Sequence, residues 1–248
     1  MKKLIATTMA SVAMIAPIFC EGADKDKAAM FLQRTGGFVI KPDSAKGKVS
    51  LFNAQQVYDA SVIKNAAALM ADEFQYVVDV VENPGTTCVT NASARLLQSG
   101  AGAGVFIVGA GVDTPAIVAA PDSNWAMVNV DAFSKNDLLL KKQILRAFAM
   151  GAGGHLSQAP ISLMGPFKNA KQVAAIPTEK LPADTIGKVL RNLKECGINQ
   201  YTKATYLKAC REGWAPPPTN DAQRVIWKKV HTVPDKPITI EFDPKKDK

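Results

Sequence analysis

The stretch "NDLLLKKQILRAFAMGAGGHLSQ", residues 136–158, decides how the chain is read. It is an apolar run of helical texture: Ser134 or Asn136 stands where an N-cap is needed, and the run ends at Gly151, with Gly153 and Gly154 just beyond. His155 follows at once. Together with His231 it is the whole histidine supply of the chain. The stretch is therefore either the remains of a metal site or the end of a packing helix, where the dipole alone favours an imidazole.

Upstream of this helix, strand and helix patterns alternate. "GFVIK" (37–41) and "KVSLFNA" (48–54) read as strands around the turn-rich "PDSAKG", and "AAMFLQRTGG" (28–37) as a short helix before them. In residues 54–74, Val57, Val62, Ile63, Ala66, Leu69 and Met70 recur at helical spacing without internal glycine or proline, which predicts a long helix lying on a sheet. "QYVVDVVE" (75–82) is a valine-rich strand closed by the Asn83-Pro84-Gly85 turn, and "NASARLLQSG" (91–100) a short helix capped by Asn91. Three more strands follow in "GVFIVGA" (104–110), "PAIVAA" (115–120) and "WAMVNVDA" (125–132), the last two joined by the hairpin turn "PDSN". This order predicts an α/β (α+β) domain over residues 24–156, a mixed twisted sheet with a long crossing helix, since the hairpin brings in an antiparallel strand.

From residue 157 to 248 the texture becomes helical and proline-punctuated, a C-terminal region with an extended tail that is expected to pack on the first domain. "LPADTIGKVLRNLKECG", "QYTKATYLKACREG" and "NDAQRVIWKKVH" are the helices, the last with Asn220 and Gln223 at capping-box spacing. Tyr201, Tyr206, Trp214 and Trp227 are placed to pin an extended tail onto a domain.

Residues 1–23 have the form of a signal peptide, with two lysines before an apolar run that ends at Pro17 and in small residues. An exported product, periplasmic or secreted, is expected, and no membrane span after leader removal. Cleavage after Gly22 or Ala23 removes Cys20, which follows a phenylalanine rather than the small residue a lipid-anchor cysteine needs. Of the cysteines left, Cys196 and Cys210 bracket a short loop that a disulfide would stabilise by about 3 kcal/mol. Cys88, among strand-like residues, reads as a buried apolar thiol.

The chain has 248 residues, 47% of them apolar, and a net charge of +8. That charge is spread out and not interleaved with aromatics as in a nucleic-acid interface, so no nucleic-acid partner is expected. Gly109 and Gly111 follow a strand, yet Thr114 holds the third glycine position and another strand comes next, which argues against a dinucleotide site. No Walker lysine or nucleophile elbow occurs. No cofactor or bound metal is expected. As a catalytic candidate only His155 stands out, with Ser157, a cysteine or a distant acid as partner.

The sheet crossed by a long helix, the edge hairpin and the helix ending in glycine together resemble the zincin fold, specifically the metzincin and archaemetzincin metallopeptidases. In that family the last helix carries HExxHxxGxxH: two histidines one turn apart reach one zinc, the glutamate polarises the water, a glycine lets a third histidine turn back, and a methionine turn lies beneath. Setting the family's glycine on Gly153 puts Arg146, Ala147 and Met150 at the histidine, glutamate and histidine positions. His155 falls one residue before the third ligand position, Leu156, and Met164 in "SLMGPF" stands for the methionine turn. In any register the motif is missing, because residues 136–151 contain no histidine and no glutamate, Asp137 being their one acid. The resemblance, over residues 45–166, implies a zincin-like frame whose peptidase chemistry is gone. The stretch 200–242, with "YLKACREGWAPPPTNDAQRVIWKKVH", is similar to uncharacterised exported proteins of Verrucomicrobia, which implies export and transfers no activity.

The reading is therefore an exported, non-catalytic, zincin-like binding or envelope-associated module, its ligand a protein, a peptide or a glycan. An atypical hydrolase or peptidase built on His155 is the first rival. A binder of anionic surfaces or glycans, resting on the positive charge and the aromatic tail, is the second.

Overall fold

The chain's elements follow the predicted order closely. In the computed structural model, which describes residues 23–82, 85–133, 135–159 and 161–232, helix α1 (Ala23–Thr35) leads into strand β1 (Phe38–Ile40). Then come β2 (Val49–Asn53), α2 (Ala60–Phe74), β3 (Val78–Glu82), α3 (Ala92–Gln98), β4 (Ala103–Val108), β5 (Ile117–Ala120), β6 (Trp125–Asn129) and α4 (Asp137–Gly151). The rest comprises α5 (Ala170–Ala174), α6 (Ala183–Glu195), β7 (Lys203–Thr205), α7 (Tyr206–Arg211) and α8 (Asp221–His231). Four expectations lie outside the described residues: the leader up to residue 22 with Cys20, the Asn83-Pro84 turn, the Ser134 cap and the tail from residue 233.

Asp43–Thr202 form one compact unit, built on a five-stranded sheet in the order β3-β2-β4-β6-β5. β3, β2, β4 and β6 run parallel, and β5 pairs antiparallel with β6 at the edge, so the sheet is mixed as the hairpin required. β2, β4 and β6 are buried along their whole length, which is why they read as continuous apolar runs rather than alternating ones. One face carries α2 and α4, whose Ile63, Met70, Phe74, Leu140, Ile144 and Phe148 join the strands in the main core. On the other face α3 covers Phe52, Phe106, Trp125 and Met127, and the Phe52 and Phe106 rings stack at 4.3 Å.

Helix α4 is buried nearly all round, because the sheet lies on one side of it and α2, α5 and α6 on others. Asn136 caps it through the Leu139 N–H at 2.9 Å. Its end lies against the backbone of β6: a Cβ on Gly151 would stand 2.7 Å from the Trp125 carbonyl carbon, so only glycine permits that approach. The short helix α3 is capped otherwise than expected. Asn91 does not cap it with its side chain; its Oδ1 accepts from the Cys88 N–H at 2.8 Å and holds the preceding turn instead.

Residues 157–202 belong to this α/β unit. The physical reason is burial. Leu163, Met164, Val173, Leu181, Val189, Leu193 and Ile198 all enter the main core.

Among the described residues, 23–42 and 203–232 form the second unit. There β1 and β7 pair antiparallel, with Val39 opposite Ala204, and Tyr206, Cys210 and Ile226 form a small core beneath. "KAT" (203–205), read as helical, is a strand because β1 offers it a partner far away in sequence. Of the α8 capping box one half forms: Asn220 Oδ1 accepts from the Gln223 N–H at 2.9 Å, while Gln223 Oε1 turns to the Thr219 N–H at 2.8 Å.

Candidate functional site

The motif helix places two cations where apolar packing would otherwise be continuous. Arg146 is 7% exposed and Lys142, one turn earlier, 3%. A buried charge needs strong partners, and here both find backbone carbonyls. Arg146 Nη1 donates to the Leu163 oxygen at 3.0 Å and the Gly165 oxygen at 2.6 Å, and the guanidinium lies 4.9 Å from the Phe167 ring centroid. Burial presses its pKa below the usual guanidinium value. Lys142 Nζ donates to the carbonyls of Ile176 at 2.5 Å and Ala174 at 3.3 Å. Gln143 beside it is buried with its Oε1 unpartnered.

The sequence-derived motif positions therefore meet only in part. Arg146 clasps the turn that carries Met164, and Met164 is itself fully buried in the core. Ala147 is fully buried in the same core, and Met150 packs on it half-buried. Gly153 has φ +76°, and a Cβ there would collide with Asn192, whose Nδ2 donates to the Ala152 carbonyl at 3.0 Å. His155 is exposed, and its Nδ1 lies 2.9 Å from Lys188 Nζ. Ser157 Oγ accepts from the Ala159 N–H at 3.1 Å rather than facing His155. A guanidinium, a methyl group and a thioether do not fit a zinc ion that wants imidazoles and carboxylates. Among the described residues no group of three or more histidine, cysteine, aspartate or glutamate side chains is disposed to hold a metal.

All three described cysteines are free thiols, so the Cys196–Cys210 disulfide expected from loop length is not formed. Cys196, at the end of α6, is exposed and accepts from Asn124 Nδ2 at 3.3 Å, whereas Cys210 is buried on α7 in the small core. Short sequence separation is a statement about loop entropy; it does not aim two side chains at each other. Cys88 is exposed, not buried, because its segment is a loop before α3 rather than a strand. Hydrogen bonding with Thr90 first, and with the Asn91 backbone second, holds the Cys88 thiol below its ordinary pKa.

Cys88 edges a largely apolar cleft of about 310 Å³ that sequence reasoning missed. Thr90, Val108, Pro115, Val118 and Met127 line it, on the α3 face of the sheet. Its far wall is fixed by Asn129 at the end of β6. The amide accepts from the Ala110 N–H at 2.9 Å and donates to the carbonyls of Gly111 at 2.8 Å and Thr114 at 3.1 Å. Nothing local in the sequence marks Asn129 for that task; its position at the carboxyl end of a buried parallel strand was the one available signal.

No family model matches the chain, and no curated protein matches it. Among solved structures it is similar to a zinc-dependent peptidase from Methanocorpusculum labreanum (strain Z), with 9% identity over 58% of this chain and 100% of that one, at a TM-score of 0.48. It is also similar to archaemetzincin from Methanopyrus kandleri, with 12% identity over 63% of this chain and 99% of that one, at a TM-score of 0.47.

Proposed function

We propose that the chain is an exported, non-catalytic binding module, a zincin-like frame whose motif helix has become a structural strut. The observation that carries this reading is the Arg146 clasp. A cation committed to the Leu163 and Gly165 carbonyls occupies the first ligand position, and a core methyl group, Ala147, occupies that of the general base. Of the ligand classes left by the sequence, an extended peptide suits the geometry best. β5 is an edge strand, half-buried and packed by α4, and an edge offers backbone groups for an added strand. The hydrolase reading gains nothing from His155, whose neighbour is a lysine and not a nucleophile or an orienting carboxylate.

Metal analysis of the purified protein, paired with a cleavage assay on casein and mixed peptides, tests the reading. Sub-stoichiometric zinc and no chelator-sensitive cleavage are expected; stoichiometric zinc with chelator-sensitive turnover would overturn it.

A further inference from the structure

The cleft edged by Cys88 lies on the sheet face away from α4, so the motif helix does not account for it. Val108 and Asn129, register partners at the carboxyl ends of the parallel strands β4 and β6, both line it. Open α/β sheets seat their ligands at that end of the strands. The loop before α3 supplies one wall through Cys88 and Thr90, and the loop after β4 supplies another through Ala110 and Thr114.

Its polar side chains are already committed within the protein. Thr114 Oγ1 donates to the Ala110 carbonyl at 2.8 Å, and Thr87 Oγ1, on a residue only 9% exposed, donates to the Gly85 carbonyl at 3.4 Å. Thr90 Oγ1 and Cys88 Sγ hydrogen-bond to one another at 3.0 Å, and the Asn129 amide is spent on the loop after β4. Among the described residues lining the cleft none is charged and none is aromatic. What is left for a ligand is aliphatic surface, from Val108, Val118 and Met127 out to Val89, which is 52% exposed.

We propose that this cleft binds the aliphatic chain of a single-chain amphiphile whose headgroup stays in solvent. Size limits the chain: about 310 Å³ is roughly twice the ~150 Å³ apolar cavity that accommodates benzene, which corresponds to about ten non-hydrogen atoms. Charge excludes the headgroup from the cleft, because an ionised group entering it meets no counter-charge and no free hydrogen-bond partner. A lining without rings gives an aromatic ligand nothing to stack on, whereas a flexible chain needs only aliphatic contact. The inference depends neither on the role of α4 nor on strand addition at β5.

Calorimetric titration of the whole chain with n-alkanols from butanol to octanol, below their solubility limits, tests it. Affinity is expected to rise about fourfold for each added methylene. Octanol near saturation is expected to slow iodoacetamide labelling of Cys88 about tenfold, as the free fraction falls, while Cys196, exposed at the end of α6, labels as before. Octanoate, the fatty-acid arm, is expected to bind within about threefold of octanol, since neither headgroup enters the cleft. Val118→Phe and Ala110→Phe fill the cleft from different walls, and either, with an unchanged near-ultraviolet spectrum, is expected to abolish both readouts. No binding, affinity indifferent to chain length, equal slowing at Cys88 and Cys196, or unaltered binding in a folded phenylalanine variant overturns the inference. So does benzyl alcohol binding more tightly than octanol, which would assign the cleft to a ring, and so does labelling blocked by mixed peptides and not by octanol, which would assign it to a peptide side chain.

Discussion

Arg146 Nη1 and the Gly165 carbonyl oxygen stand 2.6 Å apart, and the same nitrogen donates to Leu163 at 3.0 Å, so one guanidinium ties the middle of α4 to the turn carrying Met164. Replacing Arg146 by methionine leaves the buried Leu163 carbonyl without a donor, at about 1–3 kcal/mol, while the Gly165 carbonyl keeps the Phe167 N–H at 2.9 Å. Arg146→Lys is expected to fall between wild type and Arg146→Met, because an ammonium reaches the site without the planar fork. Urea midpoints of the three proteins check the order, and a methionine variant as stable as wild type would remove the clasp from the argument.

Gly151 is the contact on which α4 rests against β6. The obstacle to a methyl group there is the Trp125 backbone, which cannot rotate away. Gly151→Ala is therefore expected to destabilise by about 1–3 kcal/mol despite the better helix propensity of alanine. Thermal unfolding decides the sign: a raised melting temperature would show that the helix shifts without cost.

The thiols should separate by reactivity. Cys88 is exposed with its pKa lowered by Thr90 and the Asn91 backbone, whereas burial pushes the Cys210 thiol up. A lower pKa leaves more thiolate at a given pH, so Cys88 is expected to alkylate before Cys210 and to keep reacting at lower pH. Mass-resolved iodoacetamide labelling across a pH series measures this, and comparable rates for the two would contradict it.

Tyr76 is buried in the main core, and burial raises its pKa from 10.0 to about 12. In the unfolded chain this phenol ionises first. Between about pH 10 and 12 the unfolded state therefore binds fewer protons than the folded one, and stability falls as pH rises, by up to about 3 kcal/mol for this group. Below that window the group has no effect. Tyr76→Phe is expected to flatten the alkaline fall relative to wild type, measured by chemical unfolding from pH 9 to 12; parallel curves would show that Tyr76 is not the titrating group.

Much of the α/β unit was legible because its signals are local. Valine density marked β3, the Asn136 cap and the terminal glycine marked α4, and the proline-led turn marked the β5–β6 hairpin and hence a mixed sheet. The α4 stretch also declared, by its lack of histidine and glutamate, that it carries no paired-imidazole motif. What Arg146 does was not legible. Its acceptors lie 17 and 19 residues further on, and an arginine in a helix reads first as a surface residue.

The sequence by itself determined most of the helices and strands up to α4, and that the motif positions hold Arg146, Ala147 and Met150, since periodicity and residue identity are properties of neighbours along the chain. Only the tertiary structure decided that "KAT" pairs with β1 as a strand, that Cys88 is exposed, and that Cys196 and Cys210 remain free. Each of these depends on a partner brought close by folding. Strand pairing, burial and thiol geometry are set by distance in space, and local pattern does not encode that distance.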